Sequence, residues 1–516
     1  MKNTNKIITI FFLLSVLFGC SDDLLDKTPL DRLSPSTFYQ NETQAKMALM
    51  GIYNAIQPNA TPTHFYQYEF MSDNGYCQAA WQGSNEIGSW SANSNSWAPN
   101  AKWQQDYAII TRANQFMKDI STAPVNDEVQ TQMVAEAKFL RAYAYSDLIT
   151  YFGDVPLITE VLDLADAYVS RTPKSDVFDQ IIIDFSDAAT VLPNSYSDVG
   201  RATKGAALAY KAKILLYNQK WADAAQAAKD VMDLGVYNLF SDYSGLFTES
   251  NENNSEVIFD IQYTTSQTQP WPAEPFVLGT WQTSNITADM INSYYMTNGK
   301  SITDATSGYN DQDPYTNRDP RLDATVVLPG TAYGTAIFIP SSYAEYPCGA
   351  KPRKYAEYGV ADVNTSTLNT ILMRYADIYL MRAEALIESG STDQEIYDLI
   401  DDVRERVGMP TVESVEGTGL NQTQLRQIVR HERRVEFCME GTRYADMLRW
   451  KDESLVHDVY GYDKSKLSDP SDPAKWVFEQ IKIATINFNA SKGWLWPIPQ
   501  GDIDINENLL PNNPGY

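Results

Sequence analysis

Along much of the chain apolar residues recur at spacings of three and four, the repeat of a helix with one buried face. In TQAKMALMGIYNAI (43–56), Ala45, Ala48, Leu49, Ile52 and Ile56 fall on one stripe. The same repeat predicts a helix over 102–120 and another over 128–153, stopped by Gly153 and Pro156. A further helix is predicted over 175–193, with Ser175 as its cap and Pro193 as its stop. Residues 202–235 predict a helix, a short turn at Asn218-Gln219-Lys220, a second helix, and Gly235 as the left-handed terminal residue. Alanines at close spacing let these two helices approach, and the pattern resembles a tetratricopeptide unit of about 34 residues. Residues 372–408 repeat it more loosely, and 103–152 and 421–450 read as further pairs. Because the pairs are far apart in sequence, they are expected to pack together with the intervening segments folded over them, rather than to form one clean array.

The intervening segments, 57–101 and 240–370, are rich in Asn, Ser, Thr, Gly, Pro and aromatics. Runs such as EVIFDIQY (256–263), ATVVLP (324–329) and AIFIP (336–340) predict short strands. Loops this long inside a compact domain are usually functional.

The start of the chain has a different pattern. Lys2 and Lys6 precede a mostly apolar stretch, Ile7 to Gly19. It is shorter than the roughly 20 residues needed to cross a hydrocarbon layer, and it has the layout of an export signal. The usual small-x-small cleavage site is absent. Instead LFGC resembles the lipobox of bacterial lipoproteins, which implies cleavage before Cys20 and acyl chains on its sulfur and amine. Two or more acyl chains make a stable anchor where one is marginal. Residues 21–40 read as a tether into the fold.

Charge narrows the partners. The 516 residues carry a net charge of −26, which disfavours nucleic acid and anionic polysaccharide. With Cys20 acylated, Cys77, Cys348 and Cys438 remain, an odd number that cannot be a full disulfide framework. Cys438 reads as a core residue, and no spacing rule supports a Cys77–Cys348 bridge. His64, His431 and His457 are scattered, and no HExxH, GxSxG, phosphate loop or paired CxxC occurs. DIDINEN (502–508) has Glu507 where a calcium loop needs glycine and Asn513 where the closing Glu belongs. No catalytic residue, metal or cofactor is predicted.

The aromatic inventory suits binding better. Flat indole and phenol rings cover the C–H faces of sugars at little entropic cost, and amides or carboxylates hydrogen-bond the hydroxyls. Trp103, Trp221, Trp450, Trp494 and Trp496 read as scaffold, and Trp476 is ambiguous. Trp81, Trp90 and Trp97 lie in AAWQGSNEIGSWSANSNSWAPN, and Trp271 and Trp281 in QPWPAEPFVLGTWQTSN, none with a helical period. Trp81 and Trp281 are the leading glycan-contact candidates, followed by Trp90, Trp271 and Trp97. The alternative for each is a small satellite core beneath its loop. Asp73 and Asn74 in MSDNGY are candidate hydroxyl partners, with an Asx turn as the alternative. Tyr309 and Tyr315 are weaker aromatic candidates.

Several blocks carry a resemblance: AEAKFLRAYAYSDLITYFGDVPLI (135–158), NRDPRL (317–322), RYADIYLMRAEA (374–385), RHERRVEFCMEGTRYADMLRW (430–450) and LWPIPQGDIDINENLLPNNPGY (495–516). Together they resemble the SusD/RagB family of nutrient-binding outer-membrane lipoproteins. The resemblance implies a mainly α, SusD-like fold: a tetratricopeptide-like scaffold of helical pairs with an interleaved loop-rich part containing short strands. It implies a non-catalytic, lipid-anchored glycan binder facing the cell exterior, delivering its ligand to a SusC-like TonB-dependent transporter. It allows peptides or another nutrient as the alternative ligand, and a surface glycoside hydrolase has less support. The acidic SDD after Cys20 is similar to the export signal of such lipoproteins. The organisation expected is a signal peptide at 1–19, a lipidated tether at 20–40 and one unit at 41–516. Within that unit the scaffold lies mainly at 41–56, 102–235 and 372–450, the ligand-binding part mainly at 57–101 and 240–370, and the tail at 451–516.

In ERRVEFCMEGTRYADMLRW, Val435, Met439, Tyr444, Met447 and Leu448 form an apolar face. Glu432, Arg433, Arg434, Glu436, Glu440 and Arg443 stand at i,i+3 and i,i+4 spacings, which predicts a structural ion-pair network rather than a catalytic cluster. The same reading applies to Arg318, Asp319 and Arg321.

Overall fold

The computed structural model describes residues 39–266, 268, 284–340, 347–356, 366–467, 469, 475–492 and 494–516. The leader, Cys20 and the tether up to residue 38 lie outside the described residues, as do Trp271 and Trp281. Helices dominate, as the apolar periodicity predicts. α1 (Glu42–Ile56) is capped by Asn41 and buries Ala45, Leu49, Ile52 and Ile56, with Ala48 half-buried. α2 (Trp97–Ile120) starts earlier than expected, because Pro99 falls in its first turn, where a missing N–H is tolerated. α3 spans Asp127–Tyr151 and α4 spans Lys174–Val191. Ser175 does not cap α4. The Lys174 N–H is satisfied by Asp154 Oδ1 at 2.8 Å, and the Ser175 hydroxyl donates to Asp176 instead.

α5 (Lys204–Tyr217) and α6 (Trp221–Asp233) form the predicted pair around Asn218-Gln219-Lys220, with Gln219 left-handed at φ 59° and Gly235 left-handed at φ 64°. Their facing alanines, among them Ala206, Ala209, Ala212, Ala224 and Ala228, are buried. Among the described residues four more helices of at least eight residues follow: α7 (Tyr375–Glu388), α8 (Gln394–Arg406), α9 (Gln422–Glu436) and α10 (Arg443–Trp450). Each helix from α1 to α7 packs on the next, and α7 also packs on α8 and α9. The step from α6 to α7 spans the insertion 234–374, so the scaffold is one stack of helical pairs interrupted in sequence but continuous in space.

The loop-rich segments contribute short antiparallel ladders. β1 (Gly75–Cys77) pairs with β3 (Ser284–Ile286), which ties 57–101 to 240–370. β2 (Val257–Ile261) pairs with β4 (Thr370–Arg374). That pairing holds 370–374 extended, so the helix expected from 372 begins at Tyr375. Residues 326–327 and 336–337 of the two other predicted runs are strands, each with a short antiparallel partner. One apolar core fills the helical stack. A second, around Tyr66, Phe70, Ile286, Met290, Tyr294, Val326, Cys438 and Trp476, lies beneath the loop-rich part. Cys77, Cys348 and Cys438 are free and buried.

α9 buries Leu425 and Val429 in a third apolar cluster shared with α7 and α8 and Val435 in the core beneath the loop-rich part, and Glu432, Arg433 and Glu436 are buried with it. Glu432 accepts hydrogen bonds from Arg321 (2.6 Å) and Arg404 (2.8 Å). Glu436 accepts from Arg321 (2.9 Å), Arg374 (2.7 Å) and Arg406. Arg433 donates to Asp377 (2.6 Å) and Asp446 (3.0 Å). Burial works to raise the Glu436 acid, but Arg406, Arg374 and Arg321 outweigh it and hold the group well below the usual range. The network is structural, as expected, but its partners come from across the fold. Neighbours on one exposed helix face would satisfy only solvated charges, whereas charges removed from water need close, fully bonded counter-ions. Arg318 departs from the ion-pair reading: it donates to the carbonyls of Pro314, Ile291 and Tyr294.

Candidate functional site

The segment 57–101 is held without long helices by short turns whose backbone is bonded by side chains. Ser72 Oγ donates to the Glu69 carbonyl and accepts the Asn74 N–H, and Ser96 Oγ accepts the Asn93 N–H. The turn Ala80–Gln82 then alternates inward and outward. Gln82 is buried, its Oε1 accepting from the Cys77 thiol (2.7 Å) and from Gln67 Nε2 (3.4 Å). Trp81 beside it points out and is 46% exposed. Gly83 follows in the left-handed region at φ 80°, which favours glycine. A methyl group there would lie 3.2 Å from Cβ of Pro62 and 3.3 Å from Cε3 of Trp97. Trp97, the first residue of α2, is 42% exposed. Trp81 thus stands two residues before the glycine against which Trp97 packs, and both tryptophans are partly open to solvent.

The other candidates have different surroundings. Trp90 adopts φ 58°, uncommon for a bulky residue, and is half-buried. Its ring packs edge-on against Phe488 (4.7 Å) and Trp494 (5.1 Å), the satellite core that was its alternative. The cleft it shares with Asp73, Tyr76, His457 and Tyr460 has a volume of about 30 Å³, room for water but not for a sugar ring.

Asp73 and Asn74 are buried, and their side chains bond within the protein. Arg443 grips Asp73 with two parallel bonds (2.7 and 2.8 Å), and Arg434 Nη2 lies 3.1 Å from it. Burial works to raise the Asp73 acid, but the two guanidiniums outweigh it and hold it far below the usual range. Asn74 donates to Glu69 (2.9 Å) and accepts from Arg434 Nε (2.9 Å). These contacts fasten the start of β1 to α9 and α10. Asp73, Asp289 and His457 cluster closely enough to suggest a cation site, but Arg434 bonds both carboxylates and supplies the positive charge. Tyr309 is half-buried, its ring 5.6 Å from the Arg318 guanidinium. Tyr315 packs edge-on against Phe478 at 5.2 Å.

A second concavity was not anticipated. It lies where the helical stack meets β2, β4 and the 440–442 turn, and tyrosines wall it. Its only sequence trace is the i,i+4,i+8 series Tyr143, Asp147, Tyr151, which also reads as ordinary helix packing.

Comparison with known proteins agrees with this architecture. The profile described as the SusD family matches residues 245–516, and one described as starch-binding, associating with the outer membrane, matches residues 23–216. The chain belongs to the SusD family. A SusD-like protein of Formosa agariphila is 26% identical over 530 aligned residues, covering 99% of each chain. The crystal structure of a SusD-like carbohydrate-binding protein of Bacteroides fragilis is 29% identical, with a TM-score of 0.81 over 92% of this chain and 100% of that one. A solved laminarin-binding SusD-like protein is 25% identical, with a TM-score of 0.68 over 93% of this chain and 100% of that one. The mainly α, SusD-like fold expected from the sequence blocks is the fold observed.

Proposed function

We propose that this protein is a non-catalytic glycan-binding lipoprotein of the outer membrane, anchored through Cys20 and facing outward. It captures oligosaccharide on an aromatic shelf that includes Trp81 and Trp97, and hands it to a SusC-like TonB-dependent transporter. The observation that carries the reading is the pair of solvent-exposed tryptophans, Trp81 and Trp97, on one loop-rich segment, with Trp97 packed close to Gly83 and the Trp81 turn braced by the buried Gln82. Solvent-exposed aromatic faces on one segment suit stacking against the C–H faces of sugar rings. The carbohydrate-binding and laminarin-binding relatives support a glycan as the ligand. The outer-membrane description of the matching profile supports the location. Trp271 and Trp281, on the segment that follows β2, are proposed as further members of the shelf.

The transporter partner has a candidate surface as well. Leu164, Tyr168 and Ile505, all exposed, border an open, largely apolar groove of about 860 Å³ along α2. Exposed apolar side chains grouped on one face are the kind of surface a partner protein covers.

Isothermal titration of the mature chain with laminarin and starch oligosaccharides, and with oligopeptides, tests the ligand class. Trp81→Ala/Trp97→Ala is expected to weaken glycan binding by at least about tenfold, since hot-spot aromatics contribute more than 1 kcal/mol each. Unchanged affinity rejects the shelf. Binding of peptide alone rejects the glycan reading, and new reducing ends after prolonged incubation with glycan reject the absence of catalysis.

A further inference from the structure

We propose that the protein has a second, internal binding site: the tyrosine-walled cavity, which takes one small, neutral, polyhydroxylated molecule such as a free monosaccharide or a polyol. Three features of the cavity point to that chemistry.

The first is its wall. Tyr143 and Tyr151 on α3 and Tyr210 and Tyr217 on α5 line it, with Tyr68 closing one side. Lys102 Nζ lies 6.0 Å from the centre of the Tyr143 ring, and the charges of Lys102 and Asp147 act on the Tyr68 and Tyr143 phenols. The wall therefore combines apolar ring faces with phenolic groups that can donate or accept.

The second is charge. Lys102 Nζ bonds Asp106 at 2.9 Å and also bonds Asp147, leaving one of its three donors free. The side chain of Asp147 is 29% exposed, and among the described residues its Oδ1 has no donor. Lys213 also lines the cavity, above the rings of Tyr210 and Tyr217. Glu440, at the rim, is committed to Arg374 and Lys354. With Lys102 held between Asp106 and Asp147 the lining presents both a donor and an acceptor, so a hydroxyl can give to Asp147 and accept from Lys102.

The third is size. The cavity volume is about 100 Å³. At 10–15 Å³ per water-sized occupant this holds roughly seven to ten such atoms, the scale of a small polyol or a pentose and well under a disaccharide. A glycan chain lying across Trp81 and Trp97 would not fit, so the two sites are separate.

The test is titration of the mature chain with glucose, galactose, mannose and xylose in one arm, and glycerol and myo-inositol in the other. At least one compound is expected to bind at millimolar concentration or tighter. Tyr143→Phe and Tyr68→Phe each remove one hydroxyl without opening space, and each is expected to weaken that binding by about threefold to tenfold. Circular-dichroism melts matching wild type confirm that the variants are folded. Trp81→Ala/Trp97→Ala is expected to leave this binding unchanged. The proposal is overturned if none of the six compounds binds, if both tyrosine variants bind as wild type does, or if the tryptophan variant abolishes the binding.

Discussion

Glu436→Gln is the sharpest perturbation of the scaffold. The side chain is fully buried and lies between Arg321, Arg374 and Arg406. Around it the charges balance. Arg321, Arg374, Arg404, Arg406 and Lys354 face Asp319, Glu256, Glu432, Glu436 and Glu440. Glutamine keeps the volume and one acceptor oxygen but removes one negative charge, so a buried cation is left without its counter-ion. Breaking a buried pair in this way costs about 3 to 5 kcal/mol, whereas an exposed pair costs under about 1 kcal/mol. Equilibrium urea denaturation followed by circular dichroism measures the difference. Lys138→Ala, which removes the more exposed pair with Asp187, serves as the control. We expect Glu436→Gln to lower stability by about 3 kcal/mol or more, with glycan affinity of the folded protein unchanged. A loss no larger than the control's would show that water or rearrangement replaces the missing charge, and would refute the idea that this network locks α9 to the loop-rich part.

Other positions make narrower predictions. Gly83→Ala places an L-residue in the left-handed region, a strain of about 1 kcal/mol, and crowds Trp97, so glycan affinity should fall several-fold in titration while the overall circular dichroism is unchanged. Burial lowers the His64 imidazole to about 3, so its neutral form is favoured in the folded state. Its contribution to stability is complete above pH 6.5 and is lost as the pH falls from there toward 3, and the first two units cost about 3 kcal/mol. His64→Phe, which retains the stack on Tyr66, should remove that part of the acid sensitivity in denaturation curves at pH 6.5 and 4.5. Leu164→Asp/Ile505→Asp should reduce co-purification with the transporter without altering glycan titration, and undiminished recovery would move the partner contact elsewhere.

The helices were legible because a buried stripe writes itself into a local repeat. α1, the α5–α6 pair, its turn and Gly235 all follow from residues within one or two turns of each other. Trp97 was misread as loop because its helix begins across a proline. The extended run at 370–374 looked like the start of a helix, since its strand partner, Val257–Ile261, lies far away in sequence. Asp73 and Asn74 look like turn residues next to Gly75, and only α9 and α10, distant in the chain, reveal them as clamps. The tyrosine cavity is drawn from helices, turns and strands spread from Ile56 to Ala445, so no window of sequence contains it. The open indoles were half legible. Their polar, glycine-broken setting marked them as candidates, but only the fold separates Trp81 and Trp97, which face solvent, from Trp90, which packs against Phe488 and Trp494.

The most direct measurement is a crystal structure of the mature protein with an oligosaccharide it binds. A sugar ring stacked within about 4 Å of the Trp81 or Trp97 indole is the predicted result. Sugar bound elsewhere on the protein, with both indoles bare, would contradict the account.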